Sequence, residues 1–76
     1  MISRKPRLII AFPSTTQAIK METRCREKGM PGRLIPLPRE ISAGCGMAWM
    51  AEPDQEQDLK MLIGKEGIMT EGFYIL

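Results

Sequence analysis

Leu8-Ile9-Ile10-Ala11-Phe12-Pro13-Ser14-Thr15-Thr16-Gln17 is the stretch on which the fold turns. Leu8 to Phe12 is a continuous apolar run rich in branched side chains and bounded by Pro6 and Pro13. A run that short, with no polar alternation, suits a central strand covered on both faces. Ser14 then stands before a helical pattern, and Gln17 follows at the spacing of a capping box. Ala18, Met21 and Cys25 recur at helical intervals, Lys20, Arg24, Glu27 and Lys28 are left to water, and Gly29 offers a left-handed exit. The pattern predicts a strand over 8–12 and a helix over about 15–28 that packs one face on it.

Working outward, Met30-Pro31-Gly32 reads as a turn, and Arg33 to Pro38 as a strand with proline inside it. Proline cannot donate to a ladder, so this strand belongs at a sheet edge. Arg39 to Gly46 has no useful period and ends in small residues, which predicts a loop. Met47 to Ala51 is a third apolar run, broken by Glu52-Pro53-Asp54. Asp54 and Gln57 repeat the capping spacing, Leu59, Leu62 and Ile63 form a buried stripe, and Gly64 or Gly67 ends the second helix. Glu52, Asp54, Glu56 and Asp58 gather at its start, where a helix dipole favours acids. Glu71 to Leu76 has strand composition. Strand, helix, strand, strand, helix, strand is the order of an α+β ferredoxin-like βαββαβ sandwich, a four-stranded antiparallel sheet with two helices on one face.

The whole chain of 76 residues, 1–76, is read as one domain, since half of it could not close a core. A domain this small is marginal on its own, so self-association as a homodimer is expected. Histidine is absent, which excludes Ser-His-Asp and Cys-His pairs and every His-containing metal site within the chain. Valine and asparagine are missing too, while the seven methionines point to a pliable core. A net charge of +2 is too mild for a domain that binds nucleic acid by neutralising phosphates. Ser3-Arg4-Lys5-Pro6-Arg7 is basic, but the apolar run behind it is too short for a signal-peptide core or a membrane span. A cytoplasmic location with no membrane contact is expected, and the two cysteines are then reduced thiols rather than a staple.

Cys45 is the most suggestive residue. It stands between Gly44 and Gly46, so nothing bulky adjoins it in sequence and the flanking amides can turn toward an anion as a small nest. An unassisted thiol is only about 3% ionised at pH 7, and a working one needs roughly 2 kcal/mol of help. With no histidine, that help falls to the amides or to Arg39, which the stiff Pro36-Leu37-Pro38 segment carries into the same loop. The bland alternatives are a small apolar filler for Cys45 and a solvated charge paired to Glu40 for Arg39. Cys25 lies in the helical stripe and reads as core; its rival role is a resolving thiol for Cys45, without a Cys-x-x-Cys to support it. Zinc would need further carboxylate ligands, and no metal or other cofactor is expected. Trp49 reads as core or as a dimer contact, and the sheet lacks the interleaved aromatic and basic residues of an RNA-binding surface.

Phe12-Pro13-Ser14-Thr15-Thr16-Gln17-Ala18 and Pro36-Leu37-Pro38-Arg39-Glu40-Ile41-Ser42-Ala43-Gly44-Cys45-Gly46 together resemble the Se/S carrier protein-like family of small domains. The resemblance spans nearly the whole chain, and its specific part runs from Pro38-Arg39-Glu40-Ile41-Ser42 to Cys45-Gly46. Thr16 stands where relatives are expected to carry histidine. What the family implies is carriage of sulfur or selenium as a persulfide or perselenide on the matching cysteine, Cys45, between donor and acceptor proteins.

The expected function is therefore an accessory carrier more than a standalone enzyme, with Cys45 as the working residue and Arg39, Gly44 and Gly46 as stabilisers of the anion. The rival is a non-catalytic interaction module that dimerises or docks a partner through the sheet face opposite the helices, near Trp49.

Overall fold

The computed structural model describes residues 5–42 and 44–76. Ser3 and Arg4 of the basic stretch, and Ala43 of the loop, lie outside them. Strand β1 (Leu8–Ala11) is followed by helix α1 (Thr15–Lys28), β2 (Arg33–Pro36), β3 (Met47–Ala51), α2 (Glu56–Glu66) and β4 (Gly72–Ile75). The sheet order is β2-β3-β1-β4 with every pair antiparallel, which is the ferredoxin-like arrangement expected.

β1 sits inside the sheet because all four of its residues are apolar and buried. Ile10 pairs with Trp49 on one side and Phe73 on the other, while Ile9 pairs with Met50 and Tyr74. Side chains alternate across a strand, so these registers define two faces. On the helical face Leu8, Ile10, Phe12 and Trp49 meet Met21 and Cys25 of α1 and Leu59 and Leu62 of α2. On the open face Ile9, Ala11 and Ala48 form a second buried cluster with Ile41, which comes from the loop between β2 and β3. A central strand with neither face polar is what two-sided coverage requires. Burying such side chains contributes about 25 cal/mol per Å² of apolar surface removed from water.

α1 begins and ends at the residues its caps dictate. Ser14 Oγ accepts the Gln17 N–H at 3.4 Å, and Gly29 closes the helix in the left-handed region. The reciprocal half of the capping box is not made: Gln17 Oε1 instead accepts the Met69 N–H at 2.9 Å, tying the first turn of α1 to the segment before β4. Asp54 does not cap α2. Pro53 starts a 3-10 turn, Pro53–Gln55, and Gln55 enters α2 without a side-chain cap, leaving Glu56 and Asp58 to face the dipole. α2 runs through Gly64 and stops at Gly67. Arg24 joins the helices, its Nε lying 3.2 Å from Glu66 Oε1.

Candidate functional site

The loop from Leu37 to Gly46 is held at three points. The Leu37 N–H donates to the Gly46 carbonyl at 2.8 Å, continuing the β2–β3 ladder past Pro36 and Met47. Ile41, 6% exposed, is buried against Ile9, Ala11 and Ala48 on the open face, and its N–H closes a turn on the Pro38 carbonyl at 3.0 Å. Ala11 and Ala48 leave the hollow that a branched side chain fills. The Cys45 N–H then donates to the Phe12 carbonyl at 3.1 Å, next to the point where Pro13 stops β1.

Gly44 and Gly46 sit at φ 59° and 84°, while Cys45 between them has no positive φ. A Cβ on Gly44 would collide with the Phe12 carbonyl, so glycine is required there on two counts; at Gly46 only the backbone angle demands it. Alternation in the sign of φ tends to turn successive amides to one side, as in a nest. The Cys45 amide is taken by Phe12, and the Gly44 and Gly46 amides donate to no backbone carbonyl among the described residues.

Cys45 is half-buried, and its side chain packs at the margin of the helical-face core rather than standing clear of its surroundings. Arg39 is exposed, on the turn that Ile41 anchors to the open face, and makes no hydrogen bond or ion pair among the described residues. Gly44, Cys45 and Gly46 are thus brought together at the end of β1, while Arg39 shares the loop but touches none of them through a polar contact. Glu71 was not singled out by sequence: its Cγ lies 3.5 Å from where a Gly44 Cβ would be, and its N–H donates to the Ala11 carbonyl at 2.7 Å. Only strand pairing across residues 11 and 72 puts it there, and no local pattern announces it.

Cys25 has no exposed surface, and burial pushes its thiol up from 9.0 to about 11. It is protonated at neutral pH and forms no disulfide. Trp49, read from sequence as core or as a dimer contact, is core: it is 3% exposed beneath the helices rather than near the open sheet face, because pairing with Ile10 and Leu34 commits it to that side. A docking surface built on Trp49 is therefore excluded. Among the described residues no cluster of three Cys, Asp or Glu side chains is placed to hold a metal ion, and no helix is long and apolar enough to cross a membrane.

Residues 7–75 match the family model described as Putative Se/S carrier protein-like. The match takes in every strand and helix as well as the Cys45 loop. No curated protein and no solved structure matches the chain. The chain belongs to the Se/S carrier protein-like family.

Proposed function

We propose that this member of the Se/S carrier protein-like family carries sulfur or selenium as a persulfide or perselenide on Cys45, in the cytoplasm, between a donor and an acceptor protein. The reading rests on one observation: of the two thiols, Cys25 is sealed and protonated in the core, while Cys45 reaches the surface in a loop fixed to the end of β1. The Cys45 thiolate attacks the outer sulfur of a donor persulfide. A bond forms from Cys45 Sγ to that sulfur, the donor S–S bond breaks, and the donor departs as a thiolate that takes up the proton Cys45 gave up. No oxidant or reductant is consumed, and passage to the acceptor repeats the exchange in reverse. Selenium follows the same electron count.

The Gly44 and Gly46 amides act here as donors to the outgoing or incoming anion, and Arg39, on the other part of the same loop, as a positive charge that attracts it from a distance. The fit is to an accessory carrier: no residue near Cys45 is a histidine that would relay protons as in an autonomous enzyme. Incubation with a cysteine desulfurase and cysteine, followed by trapping with an electrophile and intact-mass measurement, tests the proposal. Wild type gains the trapped persulfide mass and Cys45→Ser does not, while Cys25→Ser still does. An adduct that survives Cys45→Ser, or no adduct on wild type with a desulfurase that loads a control carrier, sinks it.

A further inference from the structure

The sheet has two edge strands, and they are guarded unequally. β2 carries Pro36 within it, is flanked by Pro31 and Pro38, and begins with the exposed Arg33. Prolines and charges of this kind keep a further strand from adding to an edge. β4, at the other edge, reads Gly72-Phe73-Tyr74-Ile75 and leads into Leu76, with neither a proline nor a charged side chain among the five. Ile75 is 51% exposed and Leu76 45%. Of the usual guards this strand has only its shortness.

The register decides which backbone groups are left over. Arg7 and Leu76 exchange N–H to carbonyl bonds at 2.7 and 3.0 Å, so they form one of the doubly bonded pairs of an antiparallel ladder. Such pairs recur at every second residue, which makes Ile9 and Tyr74 the next and turns the N–H and C=O of Phe73 and Ile75 away from β1. At this edge those groups have no partner among the described residues. Side chains alternate too. Phe73 and Ile75, opposite Ile10 and Leu8, lie on the helical face, where Lys60 Nζ stands 5.0 Å from the centre of the Phe73 ring and is paired to Glu56 at 2.8 Å. Gly72, Tyr74 and Leu76 lie on the open face, and Tyr74 leans back over Gly72, where a Cβ would be 2.9 Å from Tyr74 Oη.

We propose that β4 pairs with the β4 of a second copy, antiparallel, about a two-fold axis at Tyr74, joining two sheets into one of eight strands. Phe73 and Ile75 of each copy then exchange backbone bonds with Ile75 and Phe73 of the other, and every leftover N–H and C=O of the two residues closes into one of four hydrogen bonds. Sliding the strands until Phe73 faces Phe73 would set Ile75 against Glu71, whose N–H is already given to Ala11. The side chains fit the same register. On the helical face each exposed Ile75 covers the Phe73 of the other copy; on the open face each exposed Leu76 comes opposite Gly72 and meets the Tyr74 ring that lies over it. The two tyrosines lean away from the axis in opposite directions and leave each other room. An arbitrary strand would satisfy the backbone alone, whereas a second copy also sets an aromatic ring against each exposed aliphatic side chain. Charge neither drives nor bars the pairing: the main-chain carboxylate at Leu76 has Arg7 beside it in its own sheet and Glu71 of the other copy across the seam. So short a seam buries well below the roughly 800 Å² per partner of tight complexes, so the dimer is weak and dissociates on dilution. The proposal is independent of the chemistry at Cys45.

Sedimentation equilibrium from about 10 µM to about 1 mM covers the range a small interface demands. Wild-type mass rises toward two copies across it. The Ile75 amide points away from β1, so Ile75→Pro leaves the β1–β4 ladder whole while deleting two of the four bonds at the seam, and it weakens association by about tenfold or more. Ile75→Lys, a charge at the same exposed position, repeats the test without a proline and has the same effect. Tyr74→Lys and Tyr74→Glu each set like charges directly opposite at the axis, where the two Cα atoms are about 4.5 Å apart, and each stays at the mass of one copy. Mixed in equal amounts, those two associate with each other. All variants are checked for the wild-type circular dichroism spectrum, and if a Tyr74 variant loses it the Ile75 variants decide alone. A wild type that stays at the mass of one copy overturns the proposal, as do folded Ile75 variants that associate like wild type or a folded Tyr74 mixture no more associated than its components.

Discussion

The backbone N–H of Cys45 donates to the carbonyl oxygen of Phe12 at 3.1 Å, so the residue that completes the central apolar run also fixes the thiol loop. Core and candidate site are thereby one piece of backbone. Phe12 is fully buried and cannot move without disturbing the helical-face cluster. The loop, anchored in its middle by Ile41, inherits that rigidity at its Cys45 end.

Substituting the two glycines separates clash from backbone angle. Gly46→Ala meets open space and costs about 1 kcal/mol for a side chain in the left-handed region. Gly44→Ala carries the same backbone cost and drives a methyl group into the Phe12 carbonyl, adding about 1 to 3 kcal/mol of overpacking. Urea unfolding of the two variants should therefore rank Gly44→Ala as clearly the less stable. Equal midpoints would mean that the loop yields at no cost and that Phe12 does not fix it.

Gln17 links α1 to the segment before β4 through its acceptor oxygen, 2.9 Å from the Met69 N–H. Gln17→Ala removes that acceptor and is expected to lower stability by about 1 kcal/mol. Gln17→Glu keeps an acceptor and adds a negative charge in the first turn of the helix, where it interacts favourably with the dipole. Its midpoint in thermal unfolding should match or exceed that of wild type. A loss as large as the alanine's would show that the amide geometry, not the acceptor, is what Met69 needs.

Burial of Cys25 makes stability depend on alkaline pH. Its thiol titrates at about 11 in the fold against 9.0 when free, so the folded chain holds a proton that the unfolded chain gives up. The contribution is fully present below pH 9 and declines as pH rises to about 11, by on the order of 2 to 3 kcal/mol. Cys25→Ala lacks that loss. The stability gap between wild type and variant, measured by urea unfolding at pH 8 and again near pH 11, should shift toward the variant. A gap that stays constant would place the thiol in contact with water.

Element types and most boundaries were legible because local signals agreed. Proline brackets on an unbroken apolar run mark β1, and Ser14 and Gly29 mark α1 at both ends. Where two local readings competed, the tertiary structure chose. Gln17 satisfied the spacing of a capping box but found a better-placed donor in Met69, which is remote in sequence. Asp54 had the composition of a cap, yet Pro53 favoured a 3-10 turn ahead of α2. Trp49 gave no sign of which face it would take, since a one-residue change of register sends a side chain to the other side of the sheet.

The sequence by itself determined the order of strands and helices, the placement of Cys25 in a buried stripe, and the presence of a second cysteine in a glycine-flanked loop. These are consequences of periodicity and backbone freedom, which act over a few residues. Only the tertiary structure decided that Ile41 folds the loop onto the open face, that Arg39 goes with it while Cys45 meets the end of β1, and that Arg7 and Glu40 share a groove. Those outcomes depend on strand register and on the hollow left by Ala11 and Ala48. Contacts between distant residues are set by the shape of the folded sheet, which no local stretch of chain encodes.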